Sequence, residues 1–316
     1  MSKTTISAIV CTHNRYNVLG ECIDALLRQD IEASRYEIIV VDNSPDKARS
    51  DEWRSKYERE PRVKYLYEPI PGLSRARNIG SREAAHSIIA YIDDDAIANP
   101  QWAMSIVDAF DYFGPDTAVV GGRIIAGWPN ARPEWLDDRM LPAIAVIDWG
   151  GDLRIAEKNE WLAGANISFR KNILEQLGGF PEAMGRVGSI LISNEEIKML
   201  NEIRALGKHI IYSPKTVVKH MIDPKRLSQS WFRERYAWQA VSDFFMDQSK
   251  TAAYGLHALK DVNRFLSHLP VQFRNIRGLT VDLDDPSLTF MQIEATYSMT
   301  VHLLSGGKND KFGENA

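Results

Sequence analysis

The amino-acid sequence predicts an α/β protein in which a mostly parallel sheet carries helices on both faces. Two observations lead to this fold class. Through the first hundred residues, short runs rich in valine and isoleucine alternate with stretches of helical periodicity. The runs are apolar along their whole length, and such strands are buried on both faces, as in parallel sheets covered by helices.

The first part of the chain holds four predicted strands. They lie at 6–12, 36–43, 63–68 and 88–93, and a helical pattern follows each of the first three. Parallel neighbours need a crossover connection, which is usually a helix. The regular alternation therefore favours a parallel arrangement of these four strands.

The pattern changes after residue 100. A helix to about residue 113 is followed by a strand, a Trp- and Pro-rich stretch at 128–161, another strand, a helix at 194–206 and two short strands within "HIIYSPKTVVKH". From residue 226 the chain becomes helical and aromatic, and its last residues, "GGKNDKFGENA", are predicted to be disordered. We therefore divide the chain into 1–100, 101–225 and a helical C-terminal extension at 226–316.

Composition argues against several classes of protein. The formal net charge of -4 lacks the basic excess of nucleic-acid-binding domains, so no nucleic-acid partner is expected. Two cysteines, Cys11 and Cys22, are too few for a disulfide scaffold or a cysteine-rich zinc site. Neither a secretory leader nor an apolar run of about 18 residues is found, so we expect a cytoplasmic protein.

Polar side chains collect where three of the predicted strands end. Thr12, Asn14 and Arg15 follow the first strand, Asp42 follows the second, and three adjacent aspartates at 93–95 follow the fourth. Ligands of open α/β sheets bind outside the carboxyl ends of the strands. We therefore expect these groups to line a ligand-binding crevice.

The aspartates of "YIDDDA" are candidates for a metal site. Carboxylates about 6 Å apart repel by roughly 3 kcal/mol at an effective dielectric constant near 20, so three of them favour a nearby cation. Strand alternation puts Asp93 and Asp95 on one side and Asp94 on the other, which makes the outer pair the better ligands for Mg²⁺ or Mn²⁺. The alternative is a solvated turn with a helix-capping aspartate. His220, at another predicted strand end, is either a further ligand or a structural histidine.

The stretch "PGLSRARN" places two arginines at a predicted helix start. Arg75 and Arg77, followed by Asn78, suit a phosphate group, because a helix N-terminus and guanidinium groups both favour anions. The alternative is a surface helix whose arginines are solvated. The stretch gains interest because it lies beside the expected crevice.

A carboxylate in "ISNEEIKMLNEIRALG" is a candidate general base. An apolar stripe follows Glu196 at helical spacing, so Glu196 is predicted to point along the packed side of the helix and Glu195 towards solvent. A carboxylate placed in this way can accept a proton from a hydroxyl group. The rival interpretation is a capping box formed by Ser193 and Glu196, and spacing leaves both open.

Taken in order, these stretches resemble a family 2 glycosyltransferase with the GT-A nucleotide-sugar-binding fold. The resemblance runs from residue 6 to residue 220 through "IVCTHNR", "VVDNS", "PGLSRARN", "YIDDDA", "GANISFRK", "LGGF", "NEEIKMLNEIRALG" and "VVKH". The ordered set is specific, although each stretch by itself is weak. It implies that 1–100 form the nucleotide-sugar-binding part of the GT-A domain and 101–225 the acceptor-binding part.

The resemblance assigns residues to the donor. It implies that Thr12, Asn14, Arg15 and Asp42 surround the nucleobase and ribose of a nucleotide-sugar. Asp42 would accept a hydrogen bond from a uracil N–H if the donor is UDP-linked. These roles are expectations from the family pattern at the matching positions.

The resemblance also implies a different role for each of the three aspartates. Asp95 becomes the metal ligand of the DxD motif, and Asp93 contacts the ribose side of the donor. Asp94, Arg75 and Asn78 are placed with the donor-binding residues. The implied cofactor is Mg²⁺ or Mn²⁺.

The acidic pair of the family falls on Glu195 and Glu196. The family pattern is commonly Glu-Asp, with the second residue as base. Glutamate in the second place departs from that pattern and extends the base by one methylene group. Glu196 is therefore the expected base and Glu195 the alternative.

The implied function is the transfer of one sugar from a nucleotide-sugar to a hydroxyl group, by an inverting and metal-dependent mechanism. The donor is expected to be UDP-linked. The acceptor is expected to be a saccharide or a lipid-linked saccharide in glycan synthesis. The Gln-x-x-Arg-Trp motif and membrane helices of processive members are missing, since "QSWFRERYAW" has the letters without the spacing. Two alternatives stay open. One is a sugar nucleotidyltransferase, although no glycine-rich loop follows the first strand, and the other is a non-catalytic nucleotide-sugar-binding protein.

The C-terminal extension contains the aromatic stretch "LSQSWFRERYAWQAVSDFFMD". We expect most of its aromatic side chains to form core. The alternative is that a minority form an amphipathic surface towards a membrane-bound or lipid-linked acceptor, in peripheral contact with the inner face of the membrane.

Overall fold

A computed structural model describes residues 4–182, 184, 191–247 and 282–304 of the 316-residue chain. The chain divides by its internal contacts into two units. Unit 1 comprises the described residues of Met1–Trp128, Ala145–Ile190 and Glu195–Ile222, and unit 2 those of Pro129–Ile144, Leu191–Asn194 and Asp223–Ala316. The division into donor and acceptor parts at residue 100 stays a prediction, and the tail "GGKNDKFGENA" lies outside the described residues.

Unit 1 contains nine strands and six α-helices within the described residues. The strands are β1 (Ile6–Thr12), β2 (Tyr36–Asp42), β3 (Val63–Tyr67), β4 (Ile88–Asp93), β5 (Ala96–Ala98), β6 (Thr117–Gly127), β7 (Arg154–Ile155), β8 (Asn166–Arg170) and β9 (His209–Met221). The helices are α1 (Tyr16–Leu27), α2 (Lys47–Lys56), α3 (Leu73–Glu83), α4 (Trp102–Phe113), α5 (Lys171–Gln176) and α6 (Glu195–Ala205), with short 3-10 helices at Ala33–Arg35 and Gly114–Asp116. The four strands predicted in the first hundred residues are all present.

The nine strands form one sheet in the order β3-β2-β1-β4-β8-β6-β9-β5, with β7 paired to β9. The pairs β1–β2, β1–β4, β2–β3 and β6–β9 are parallel. The pairs that β8, β5 and β7 make are antiparallel. The first four strands are parallel because a helix returns the chain across the sheet between each two of them. The α/β fold class is confirmed, and the later strands add antiparallel pairs.

Hydrophobic cores lie on both faces of the sheet. Leu19 of α1 and Trp102 of α4 are buried in the first core, and Leu200 of α6 is buried in the second. Neighbouring residues of β1 divide between the two, with Val10 in the first core and Ile9 in the second. This two-sided burial explains why β1 is apolar along its whole length.

A single strand, β9, replaces the two short strands predicted within "HIIYSPKTVVKH". Its register against β6 shifts between Gly122 and Ile124. Pro214 lies at this shift and has no N–H to donate to a ladder, so a local irregularity is needed for the strand to continue past it. As a result, His220 near the end of β9 stays paired within the sheet.

Unit 2 is helical within the described residues. Its helices are α7 (Gln229–Asp247), α8 (Pro286–Leu304) and the short 3-10 helices Asp138–Ile144 and Pro224–Arg226. Phe232 and Trp238 of α7 are buried, and Trp135 packs edge-on against Phe232 with ring centroids 5.6 Å apart. No helix in the described part of the chain has both the length and the apolar character to cross a membrane.

Candidate active site

Strand pairing brings the ends of three strands to one edge of the sheet in unit 1. Thr12 at the end of β1 stands opposite Asp42 at the end of β2, and Asp93 ends the neighbouring strand β4. β5 pairs with β9 so that Ala96 lies opposite His220. The fold therefore joins polar side chains that are more than a hundred residues apart in the sequence.

Asp93, Asp95 and His220 form a group that could hold a divalent metal ion. One ligand atom from each of the three residues lies within 4.8 Å of the other two. Asp95 and His220 are buried, and Asp95 Oδ1 lies 3.3 Å from His220 Nε2. Within the described residues this buried carboxylate oxygen accepts no hydrogen bond. A hard oxygen atom without a donor, beside a second carboxylate and an imidazole, fits Mn²⁺ or Mg²⁺.

Asp94 lies apart from this group and is bonded to β1 and to the residues that follow it. Thr12 Oγ1 donates to Asp94 Oδ2 at 2.7 Å, and Arg15 Nη1 lies 2.9 Å from Asp94 Oδ1. The second terminal nitrogen of Arg15 donates to Asp95. Arg15 therefore bridges two buried aspartates, while its own side chain remains 35% exposed.

The two buried aspartates differ in pKa. Burial is the largest influence on Asp94 and raises the pKa of its carboxyl, although Arg15 opposes the rise. Burial also acts to raise the pKa of Asp95, but the neighbouring imidazole of His220, together with the guanidinium of Arg15, outweighs burial and holds this pKa below its usual range. Asp95 is therefore the more readily ionised of the two, as a metal ligand must be.

The residues predicted to surround the nucleobase and ribose differ in exposure. Asn14 is exposed, has a left-handed φ of 57°, and donates its N–H to Ser44 Oγ at 2.8 Å. Arg15 is half-buried, and Thr12 is buried beneath it. Asp42 has no exposed surface. The structure thus leaves Asn14 and Arg15 accessible to solvent and encloses the other two.

Asp42 is enclosed by hydrogen-bond donors. The hydroxyl groups of Tyr16 and Tyr65 each donate to Asp42 Oδ2 at 2.8 Å, and the N–H of Ser44 donates to Oδ1 at 3.1 Å. Burial, together with the bond to Asp42, raises the pKa of Tyr16 to about 12, so that this hydroxyl stays a donor. These contacts make Asp42 an anchor at the end of β2, and its contact with a uracil stays a prediction.

Asp42→Ala is expected to lower the free energy of unfolding by about 3 kcal/mol, because it leaves three donors around a buried site without an acceptor. Urea denaturation of the two proteins measures this difference. Asp24→Ala, at an exposed position of α1, is the control and is expected to stay within about 0.5 kcal/mol of the wild type. Unchanged stability with lost UDP binding would show that Asp42 is a nucleotide ligand rather than an anchor.

Asn78 is bonded to the loop "LGGF" rather than placed among the aspartates. Its Nδ2 donates to the carbonyl oxygen of Phe180 at 2.8 Å, and its Oδ1 accepts from the N–H of Phe180 at 2.7 Å. Gly178 and Gly179 have left-handed φ values of 77° and 82°, and a Cβ at Gly179 would lie 2.5 Å from Asn78 Oδ1. Glycine is needed here for conformation and space. The donor contact expected of Asn78 stays a prediction.

The two arginines of "PGLSRARN" have different surroundings. The side chain of Arg75 is 33% exposed, and it pairs with Glu68 at 3.3 Å and with Glu182 at 3.6 Å. The side chain of Arg77 is only 3% exposed. The interpretation of two solvated arginines is therefore wrong for Arg77, whose charge is enclosed by the protein.

Arg77 binds the acidic pair at the start of α6. Its Nη1 lies 3.1 Å from Glu195 Oε1 and 2.9 Å from Glu196 Oε1, and its Nη2 lies 3.9 Å from Asp93 Oδ1. Burial acts to lower the pKa of Arg77, but the charges of Glu196 and Glu195 outweigh it and raise this pKa above its ordinary value. A charged guanidinium therefore stands between the acidic pair and the candidate metal ligands.

The structure reverses the exposure predicted for the two glutamates. Glu195 is 3% exposed and Glu196 is 15% exposed, whereas helical spacing predicts Glu195 on the solvent side. The prediction is wrong because a buried cation, Arg77, draws both carboxylates inward. The capping box is also absent: α6 begins at Glu195, and the N–H of Ser193 donates to Ser242 Oγ at 3.1 Å.

Sequence reasoning proposes Arg77 only as a phosphate-binding residue and misses its pairing with the acidic residues of α6, although α3 contains a signal for its burial. The small residues Ser74, Ala76 and Gly80 are buried along this helix, and a Cβ at Gly80 would lie 2.6 Å from Ile9 Cγ2. Ala76 and Gly80 are four residues apart and lie on one helix face, and small residues on such a face indicate close packing on a sheet. An arginine on such a helix is enclosed as well, and a buried guanidinium needs anionic partners.

Comparison of the sequence with protein families and known proteins gives clear matches. The sequence model of the family described as "Glycosyl transferase family 2" matches residues 7–178. The chain is 27% identical over 291 residues to the glucosyl-dolichyl phosphate glucuronosyltransferase of Haloferax volcanii, across 91% of this chain and 90% of that protein.

Two solved structures illustrate the similarity of fold. The mannosyltransferase PcManGT from Pyrobaculum calidifontis, in complex with GDP-Man and Mn²⁺, has a TM-score of 0.57 and 18% identity across 99% of this chain and 89% of that chain. GalNAc-T7, with UDP, GalNAc and Mn²⁺, has a TM-score of 0.55 and 14% identity across 84% of this chain and 58% of that chain. These likenesses concern the fold, and they confirm the GT-A fold that the sequence motifs imply.

Proposed function

The chain belongs to glycosyl transferase family 2 and is a glycosyltransferase of glycan synthesis, and from this premise we propose that it transfers one sugar from a nucleotide-sugar to a hydroxyl group with inversion at the anomeric carbon. One observation carries this finer proposal. The guanidinium of Arg77 contacts Glu196 through one nitrogen and approaches Asp93 through another. The proposed general base and the proposed cation site thus share one neighbouring side chain, and this proximity supports a transfer reaction between them.

Asp95, Asp93 and His220 are proposed to hold the metal ion. When bound, Mg²⁺ or Mn²⁺ supplies positive charge that neutralises a departing diphosphate as a Lewis acid. The buried oxygen of Asp95 without a hydrogen bond supports this assignment. The presence of Mn²⁺ in both similar structures supports it as well.

The donor is proposed to bind where β1, β2 and β4 end. Asn14, Arg15 and Asp93 offer polar side chains with exposed surface there, and Asp93 is 37% exposed. Thr12 and Asp94 lie behind them, where the bond between the two side chains and the ion pair with Arg15 support the donor-binding surface.

The proposed nucleotide is UDP, with its base beside Asp42. A uracil N–H would reach this carboxylate only when a hydroxyl of Tyr16 or Tyr65 releases it, so we expect donor binding to rearrange this buried network. Arg75 is proposed to contact the donor too, because its guanidinium remains one-third exposed beside α3. Asn78 would support the donor through the loop that it anchors.

Glu196 is proposed as the general base because its carboxylate is the more exposed of the acidic pair. It takes the proton of the acceptor hydroxyl while that oxygen forms a bond to the anomeric carbon. The bond between that carbon and the diphosphate breaks on the opposite face, and the electron pair leaves with the diphosphate. Glu195 is the alternative base.

The acceptor is proposed to be a saccharide or a lipid-linked saccharide. The name of the Haloferax volcanii relative specifies a glucosyl-dolichyl phosphate, which supports a lipid-linked acceptor. A cytoplasmic enzyme in peripheral contact with the membrane through the half-buried aromatic side chains of α7, Trp231 and Tyr236, would suit such a substrate.

A donor screen tests the proposed function. UDP-, GDP- and dTDP-sugars are added with and without Mn²⁺, and both the melting temperature and the released products are measured. We expect Mn²⁺-dependent stabilisation by UDP-sugars, since ligands that bind the native state raise its stability, together with release of UDP. Release of pyrophosphate would indicate a nucleotidyltransferase, and binding without release would indicate a non-catalytic protein.

A further inference from the structure

We propose that Arg77 is a positioning residue for the catalytic base. It holds Glu195 as its buried counter-ion and Glu196 as the proton acceptor, and Gly164 leaves the space in which this contact forms. The inference rests on the glycosyl transfer proposed for this site. It also gives Glu195 a role of its own, as a counter-ion, which the sequence motif does not.

The surroundings of Arg77 hold its guanidinium in one place. Its Cζ lies 5.2 Å from the ring centre of Phe180 and 5.9 Å from that of Tyr91. The hydroxyl of Tyr91 also donates to the carbonyl oxygen of Arg77 at 3.3 Å. A guanidinium enclosed by two rings cannot turn to solvent, so its Nη1 stays at the carboxylates.

The two glutamates need this cation to share one small volume. Carboxylates about 5 Å apart repel by roughly 3 kcal/mol at an effective dielectric constant near 20, and a buried carboxylate stays ionised only when it is paired. Arg77 Nη1 contacts Glu195 and Glu196 at once. The more enclosed Glu195 acts as the permanent counter-ion, and Glu196 is oriented yet exposed enough to receive a proton.

Gly164, in the stretch "GANISFR", lies directly against this contact. A Cβ at Gly164 would overlap both Arg77 Nη2 and Glu196 Oε1. Its φ is not in the left-handed region, so glycine is needed here for space rather than for backbone conformation. Any side chain at this position would push the guanidinium and the carboxylate apart.

Arg77→Lys tests the positioning role. Lysine keeps the positive charge, but its single ammonium group lacks the planar fork that reaches both carboxylates and Asp93. We expect kcat to fall about 100-fold, the effect of a displacement of about 1 Å at a catalytic group, while the KM for donor changes less than about threefold. Stabilisation by Mn²⁺ with UDP, measured by thermal melting, is expected to persist.

Gly164→Ala tests the same contact without changing any charge. We expect the kcat of Gly164→Ala to fall to a similar extent as that of Arg77→Lys, while the KM for donor is nearly unchanged. Gly151→Ala is the matched control, because a Cβ at Gly151 has no heavy atom within 4 Å and its φ is not left-handed. This control is expected to keep wild-type kcat.

The two variants also separate positioning from a purely structural ion pair. A structural ion pair would show a lower melting temperature with unchanged kcat in the folded variants, and that result would overturn the proposal. If Arg77→Lys does not fold, the double variant Arg77→Lys with Glu195→Gln takes its place, because glutamine removes the buried negative charge that lysine leaves unpaired. We expect the same fall in kcat for the double variant. Wild-type protein that turns over none of the donors would contradict the proposed function itself.

Discussion

Glu196→Gln is expected to lower kcat by about three orders of magnitude and to leave the KM for donor near its wild-type value. Loss of a general base removes about 10²–10⁴-fold of rate. Glutamine has the same size, and its amide oxygen can still accept the bond from Arg77 that Glu196 accepts at 2.9 Å. Only the ability to take a proton is lost. Initial rates of UDP release at saturating donor and acceptor measure the effect.

Two further glutamates of α6 are the controls for this experiment. Glu195→Gln makes the same chemical change one residue earlier and is expected to lose less than about tenfold in kcat, because a counter-ion contributes less than the base. Glu202→Gln, at a side chain that is 41% exposed beside Lys198, is expected to behave as the wild type. A larger loss for Glu195→Gln than for Glu196→Gln would assign the base to Glu195.

Asp95→Asn is expected to remove stabilisation by Mn²⁺ and to lower turnover about 1000-fold. Asp95 supplies the buried oxygen without a hydrogen bond and stands beside His220 Nε2 at 3.3 Å. An amide in its place lacks the charge that a hard cation requires. A bound ion stabilises the transition state by several kcal/mol, and each 1.36 kcal/mol is a factor of ten in rate. Titration calorimetry with Mn²⁺ measures binding separately from turnover.

The neighbouring aspartate provides the matched control for the metal site. Asp94→Asn makes the same change one position away, at a carboxylate bonded to Thr12 and Arg15 and outside the group of candidate ligands. It is expected to keep Mn²⁺ binding, whatever its effect on the donor. Chelation by EDTA should stop wild-type turnover, and added Mn²⁺ should restore it. Equal Mn²⁺ affinity for Asp95→Asn and the wild type would contradict the assignment of Asp95.

The strands of the first hundred residues could be predicted closely because their signal is local. β1, β2 and β4 are buried on both faces, and their apolar runs end where polar residues begin, whereas β3 at the end of the strand order is only partly buried. The carboxyl ends of parallel strands lie at one edge, so the polar residues that follow them were expected to meet. Thr12 and Asp42 do stand opposite each other in the register.

Other parts of the site depend on contacts that no local pattern contains. The exposure of Glu195 was predicted wrongly because Arg77, 118 residues earlier, binds its carboxylate. Asp42 follows a strand as a ligand-binding residue would, yet Tyr16 and Tyr65 enclose it. These partners lie on different helices and strands. The residue spacing within one helix or strand does not show which residues of another element will contact it.

The sequence alone determined the fold class, the parallel strands and the set of motifs that identifies the family, because hydrophobic periodicity and strand-end polarity act over short stretches of chain. The tertiary structure decided the arrangement of the site. It brought His220 to Asp95 through the pairing of β5 with β9, and it enclosed Arg77 against Glu195 and Glu196. The physical reason is that burial and charge pairing are properties of neighbours in space, which long-range strand pairing and helix packing create.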